Sequence, residues 1–148
     1  MSIIRLTKIF HFEMAHALYG YDGACKNIHG HSYQLLVTIK GKPVSDDTHY
    51  KNGMVLDFSV LKAIVKSTII DELDHALALN ANSPHKELKE KNHLFGRIIL
   101  LPYQPTCENL LIDFSERIKK QLPENIKLHA LKLKETPSSY AEWFEEDN

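Results

Sequence analysis

Apolar and polar residues alternate with period two at both ends of the chain and follow helical spacing in between. Residues 3–13 alternate and are rich in Ile and Phe, which predicts a strand. Tyr19-Gly20-Tyr21-Asp22-Gly23 supplies turn chemistry after it. Residues 29–40 alternate again: His29, His31, Tyr33, Leu35, Val37 and Ile39 share one face of a second strand that Gly41-Lys42-Pro43 ends. Asp57 suits the N-cap of a helix reaching about Leu73, with Val60, Leu61, Ile64, Val65 and Ile69 as its apolar stripe. The pattern weakens over 78–104, where a loop around Asn80-Ala81-Asn82-Ser83-Pro84 and a short polar helix are expected. Pro105-Thr106 opens a second long helix with Leu110, Leu111, Phe114 and Ile118 on one face, stopping before Pro123. Residues 128–135 and 139–145 read as two strands paired across Thr136-Pro137-Ser138. The order strand, strand, helix, helix, strand, strand predicts an α+β fold with a mainly antiparallel sheet.

The chain has 148 residues, and neither linker composition nor a repeat divides it, so residues 1–148 are expected to form one domain. A net charge of −1 argues against a nucleic-acid binder or an anionic-membrane binder held by electrostatics. Residues 98–101 form the longest aliphatic run, far too short to span a bilayer. Residues 1–14 lack the apolar core and cleavage pattern of a signal segment, so a cytoplasmic protein is expected. Two cysteines, Cys25 and Cys107, are too few for a disulfide scaffold and are expected to be free thiols. The residue type that changes the picture is histidine, with 9 in the chain.

Cys25-Lys26-Asn27-Ile28-His29-Gly30-His31 is the densest chemical segment. Residues i and i+2 of a strand point the same way, so His29 and His31 converge on one point. Gly30 between them leaves room for another segment to come close. If the first strand persists through the row Phe10, Phe12, Met14, His16, an antiparallel partner brings His16 beside the pair. Three imidazoles without a carboxylate suit zinc better than calcium or magnesium, although each histidine alone has an ordinary structural explanation. Cys25 is either a fourth metal ligand or a reactive thiol standing off the metal, and its polar, glycine-rich loop favours the thiol. Asp74-His75 is weak alone, because neighbours in a regular element do not face each other and a helix C-terminus favours histidine anyway. Glu135 continues the apolar row Leu131, Leu133, either at an exposed strand end or in a pocket. Glu108 suits the first turn of a helix dipole, and Cys107 is expected to pack. His11, His49, His85, His93 and His129 have no convergent partners and read as surface or structural residues.

Five segments in this order resemble the 6-pyruvoyltetrahydropterin synthase family: Phe10-His11-Phe12-Glu13-Met14-Ala15-His16, Cys25 with His29-Gly30-His31, Leu73-Asp74-His75, Pro105-Thr106-Cys107-Glu108-Asn109 and Lys134-Glu135-Thr136. The resemblance spans residues 10–140. It implies a tunnelling fold (T-fold), a four-stranded antiparallel sheet with two helices inserted between strands 2 and 3. It also implies trimers, usually stacked in pairs as a hexamer, with active sites between subunits. By resemblance His16, His29 and His31 hold one Zn²⁺ per subunit, Cys25 is the proton-abstracting base, and Asp74 and His75 form a relay. Glu135 anchors the pterin ring, with Thr106 and Glu108 near its pocket. Three residues between Cys25 and His29 are the spacing of the bacterial branch, the 6-carboxytetrahydropterin synthases of queuosine biosynthesis; the long 78–104 segment departs from the shorter members of that branch. The implied activity is that of a zinc-dependent lyase converting 7,8-dihydroneopterin triphosphate to 6-carboxy-5,6,7,8-tetrahydropterin, with release of acetaldehyde and triphosphate. The alternatives are the pyruvoyl-forming synthase, which eliminates triphosphate without carbon–carbon cleavage, and a non-catalytic binding module in which Cys25 completes a structural zinc site.

Overall fold

A computed structural model describes residues 2–148. Strand β1 (Ile4–His16) pairs antiparallel with β2 (His29–Gly41) over its whole length, from Ile4 opposite Gly41 to His16 opposite His29. At the far end Gly41 passes between Val55 and Ile126. A Cβ there would lie 2.9 Å from Val55 Cγ1, so glycine is needed for the close approach. Helix α1 (Phe58–Val65) continues through a π-helical turn, Lys66–Ile70, into a last turn, α2 (Asp71–Leu73). Asp57 caps it as expected, its carboxylate accepting from Ser59 N–H. The second long helix, α4 (Cys107–Lys119), follows a short helix, α3 (Asn92–Phe95), and is capped by Thr106, which accepts from Asn109 N–H. Strands β5 (Lys127–Thr136) and β6 (Ser139–Phe144) form the expected closing hairpin.

The sheet differs from expectation in having six strands. Residues 76–101 add β3 (Ala76–Asn80) and β4 (Ile98–Leu101), joined by a 3-10 helix, Pro84–Lys91, and α3. The order is β4-β3-β1-β2-β5-β6, with β3 parallel to β1 and β4 parallel to β3, so the sheet is mixed. Four- and five-residue apolar runs such as Ile98–Leu101 carry no periodicity that separates a buried strand from a helix turn or a loop. No helix among the described residues is long and apolar enough to cross a membrane.

One face of the sheet carries the core. Phe10, Phe12 and Met14 of β1, Tyr33, Leu35, Val37 and Ile39 of β2, and Leu131 and Leu133 of β5 are buried against Leu61, Val65 and Ile69 of the first helical run. Leu110, Leu111, Phe114 and Ile118 of α4 complete it. The opposite face carries Arg5, Thr7, His11, Gln34, Thr38 and Lys132, the mainly polar half of the same alternation, interrupted by the pair Ile9 and Leu36. The row that is apolar through most of β1 and β2 becomes histidine at one end, which places the chemical residues at the rim of the core.

Candidate active site

At that rim the ladder sets His16 opposite His29 and Met14 opposite His31. His16, His29 and His31 all stand on the core face, with ring centroids 4.5, 5.2 and 5.0 Å apart. One nitrogen from each lies within 4.8 Å of the others. Two rings are fixed by backbone carbonyls: His16 Nδ1 donates to Pro105 O and His29 Nδ1 to Asn27 O, both at 2.7 Å. A carbonyl can only accept, so these contacts put the hydrogen on Nδ1 and leave the Nε2 lone pair free. Both Nε2 atoms are buried without a protein partner. Burial pushes the His16 pKa down to about 4, against a smaller opposing effect of the Pro105 carbonyl, so the ring is neutral at pH 7. A ring fixed through Nδ1 presents its Nε2 to a metal ion, and three imidazole ligands would leave a tetrahedral ion one position for a further ligand. Tyr33, 1% exposed, lies beneath the triad, edge-on to His31 at 5.5 Å and stacked on Phe12 at 5.0 Å. Burial, reinforced by Glu135 and Cys107, holds its hydroxyl protonated.

Cys25 lies on a one-turn 3-10 helix, Ala24–Lys26, as an exposed free thiol. Its sulfur is not part of the metal-capable group among the described residues, which comprises the three histidines. Its carbonyl accepts from Leu18 N–H at 3.0 Å, closing the loop that leads out of β1. Gly30 lies on the helix-free side, where a Cβ would be 3.6 Å from Met14 O, an ordinary contact. The expectation that glycine there admits a closely packed segment is therefore corrected within this chain.

Asp74 and His75 do face each other, contrary to the behaviour of neighbours in a regular element. His75 has φ +63°, a left-handed conformation uncommon outside glycine, and the break brings His75 Nδ1 to 3.0 Å from Asp74 Oδ1. The same Asp74 oxygen accepts from Glu13 N–H at 2.9 Å, and His75 N–H donates to Glu13 O at 2.6 Å, so β1 anchors both ends of the dipeptide. The His75 ring is 75% exposed and separate from the triad.

Glu135 continues the inward row beyond Leu131 and Leu133 and is half-buried. It lines an open depression of about 380 Å³ with His11, Ser32, Gln34 and Lys134, none of which belongs to the triad. Thr106 spends its hydroxyl on the α4 cap, and Glu108 is exposed in the first turn of that helix. Cys107 is buried, its thiol donates to Leu133 O at 3.2 Å, and burial raises its pKa to about 12, so it packs and does not ionise. His129, expected to be unpartnered, is 8% exposed and is the extra residue where the β2–β5 register slips. The groups that escaped the sequence were Pro105 O and Asn27 O, because a backbone acceptor has no side-chain signature, and Tyr33, which reads as one more core position.

The sequence model described as 6-pyruvoyl tetrahydropterin synthase matches residues 5–146. A 6-carboxy-5,6,7,8-tetrahydropterin synthase from Haemophilus influenzae is 35% identical, with 97% of this chain and all of the relative aligned. One from Aquifex aeolicus is 34% identical over 95% of this chain and 98% of its own. Among solved structures, the 6-pyruvoyl tetrahydropterin synthase of Caenorhabditis elegans superposes with a TM-score of 0.69 at 26% identity, covering 97% of this chain and 96% of that one. An uncharacterized protein from Wolinella succinogenes superposes with a TM-score of 0.81 at 18% identity, covering 98% and 99%, a likeness of fold. A near-complete sequence match, relatives aligned over nearly their whole length and a shared fold lead to one conclusion: the chain belongs to the 6-pyruvoyl tetrahydropterin synthase family.

Proposed function

We propose that this chain is a zinc-dependent 6-carboxy-5,6,7,8-tetrahydropterin synthase, a carbon–carbon lyase of queuosine biosynthesis. Its substrate is 7,8-dihydroneopterin triphosphate, and acetaldehyde and triphosphate leave. The observation that carries the reading is the triad, in which His16 and His29 keep buried, unpartnered Nε2 atoms and His31 stands beside them. Three imidazoles favour Zn²⁺, which supplies Lewis-acid polarisation of the substrate's side-chain oxygens when bound. The names of relatives at 30–35% identity favour the carboxy-forming branch.

The chain's own residues supply the remaining roles. Cys25, exposed beside the strand that bears His29 and His31, acts as the base for a proton on the substrate side chain. Asp74 holds His75 Nδ1, fixes the tautomer and leaves Nε2 to pass protons to departing groups. Glu135 accepts two parallel hydrogen bonds from the amino group and ring N–H of the pterin, with Thr106 and Glu108 at the edge of that pocket. On one subunit the His75 ring stands exposed outside the three-histidine group, and Glu135 lines a depression that none of the three histidines lines. A homotrimer, or two stacked, that joins them across subunit boundaries accounts for this separation.

Incubation with 7,8-dihydroneopterin triphosphate tests the reading: acetaldehyde and 6-carboxytetrahydropterin are the expected products. A pyruvoyl product without acetaldehyde moves the chain to the pyruvoyl-forming reaction. The structural-module reading needs Cys25 on the metal, and its sulfur lies outside the triad. Cys25→Ala is expected to keep zinc and lose turnover; loss of zinc with the thiol would favour the module.

A further inference from the structure

Besides the bond from His29 to Asn27 O, the loop that carries Cys25 is tied to the rest of the subunit by Gln104, a residue with no assigned role. Gln104 Nε2 donates to Tyr19 O at 2.9 Å. Tyr19 adjoins Leu18, whose N–H holds Cys25 O at 3.0 Å. The acceptor at Tyr19 fixes which way round the amide lies, and a side chain without a donor cannot replace it. Gln104 is itself held rigidly: its carbonyl accepts from Thr106 N–H at 2.8 Å and from Asn109 Nδ2 at 3.0 Å, which ties it to the start of α4. The next residue, Pro105, accepts from His16 Nδ1 at 2.7 Å. Two consecutive residues therefore grip the two halves of the site, Pro105 the triad and Gln104 the thiol loop. Earlier in the same 78–104 segment, the His85 ring also stands edge-on to Tyr19 at 5.2 Å.

We infer that Gln104 is a positioning residue that sets the Cys25 loop against the histidine triad through its amide bond to Tyr19 O. This rests on the proposed role of Cys25 as the base, and the test separates the two. A loop held by few bonds samples misplaced geometries, and a displacement of about 1 Å at a reacting group costs up to roughly a hundredfold in rate. Gln104→Met keeps the shape and removes the donor.

The zinc-loaded enzyme carrying Gln104→Met is compared with the parent in kcat, KM, zinc content, melting midpoint and the rate of iodoacetamide labelling at Cys25, read by peptide mass. Cys107 is buried, so labelling reports the loop. The expected result is a kcat lowered roughly tenfold or more, an unchanged KM, unchanged zinc and melting midpoint, and faster labelling of Cys25. Parent-like kcat and labelling overturn the inference. So does a loss of zinc or of thermal stability that tracks the loss of turnover, which makes Gln104 a residue of the fold alone. If Gln104→Met does not fold, Gln104→Glu, equally without a donor, is judged by the same measures. Cys25→Ser serves as the control. If it turns over normally while Gln104→Met still speeds labelling, the base assignment falls and the positioning stands. If it is inactive while Gln104→Met matches the parent, the positioning alone falls.

Discussion

His16 shows how a single position serves both packing and chemistry. It lies in the row Phe10, Phe12, Met14 and is as buried as they are, at 2% exposed. Burial holds its pKa near 4, well below the ordinary 6.5. Above pH 6.5 the ring is neutral in both folded and unfolded chains, so its titration adds nothing to stability there. As pH falls through 6.5 the unfolded chain takes a proton that the folded chain refuses until about 4. The metal-free protein is therefore expected to lose stability across that window, by roughly 3 kcal/mol at most from this residue. Thermal melts from pH 7 to 4 with a chelator check it, and His16→Gln should flatten the slope. His75 makes the opposite case, an exposed ring held in a left-handed conformation for which packing offers no reason. His75→Gly removes the ring and relaxes the backbone, so turnover should collapse while the unfolding midpoint holds or rises, measured by assay and denaturant titration on one preparation. Both residues could be picked from the sequence, His16 by strand parity and His75 by its neighbour. The turn that brings His75 onto Asp74 could not, because nothing local announces a left-handed histidine.

The elements with long, one-sided patterns were readable, and those without them were not. The stripe from Leu61 to Ile69 and the face from Leu110 to Ile118 are buried as their spacing requires, the first helix begins at its expected cap, Asp57, and the second opens where expected, with Thr106 as the cap the structure adds. Strands β3 and β4 stayed hidden because two short apolar runs parallel to each other depend on partners far away in the chain. The π-helical turn Lys66–Ile70 was equally invisible. It leaves the Thr68 carbonyl to be met by Arg117 Nη1 at 3.0 Å, and the same guanidinium reaches Glu72 at 2.9 Å and Asp113 at 2.8 Å. One planar, multi-donor group thus joins α4 to the helix that leads into Asp74. Lysine cannot span three acceptors in one plane. Arg117→Lys should cost on the order of 1–2 kcal/mol in urea unfolding, because a half-buried pair of carboxylates loses part of its partner. Thr106→Ala should cost about 1 kcal/mol through the lost cap, and Thr106→Ser should restore it. A Thr106→Ser variant stable but impaired in pterin affinity would assign the methyl group to the binding site.

On the scale of the molecule, helices cover one face of a six-stranded sheet and leave the other to polar side chains. Arg117 and the apolar stripes belong to the covered side. On the open side Arg5, Lys132 and Lys134 stand among Thr7, Gln34 and Thr38, with Ile9 and Leu36 as the apolar exceptions, a mainly polar surface that tolerates water. Of the groups proposed for one reaction, the triad stands at the rim of the core, Glu135 lines a depression that no triad histidine lines, and the His75 ring is exposed just before β3. The proposed relay, exposed and strained on one subunit, calls for another surface to complete its site, which is the physical case for proposing a catalytic assembly larger than one chain. Sedimentation equilibrium is expected to give a mass that is an integral multiple of three 17.0 kDa chains. Mixing provides the sharper check. Cys25→Ala and His75→Ala chains, each inactive alone, should recover part of the parental turnover once co-refolded, because some sites then draw an intact thiol from one chain and an intact imidazole from another. If each subunit held its own complete set, the mixture would remain as inactive as its components.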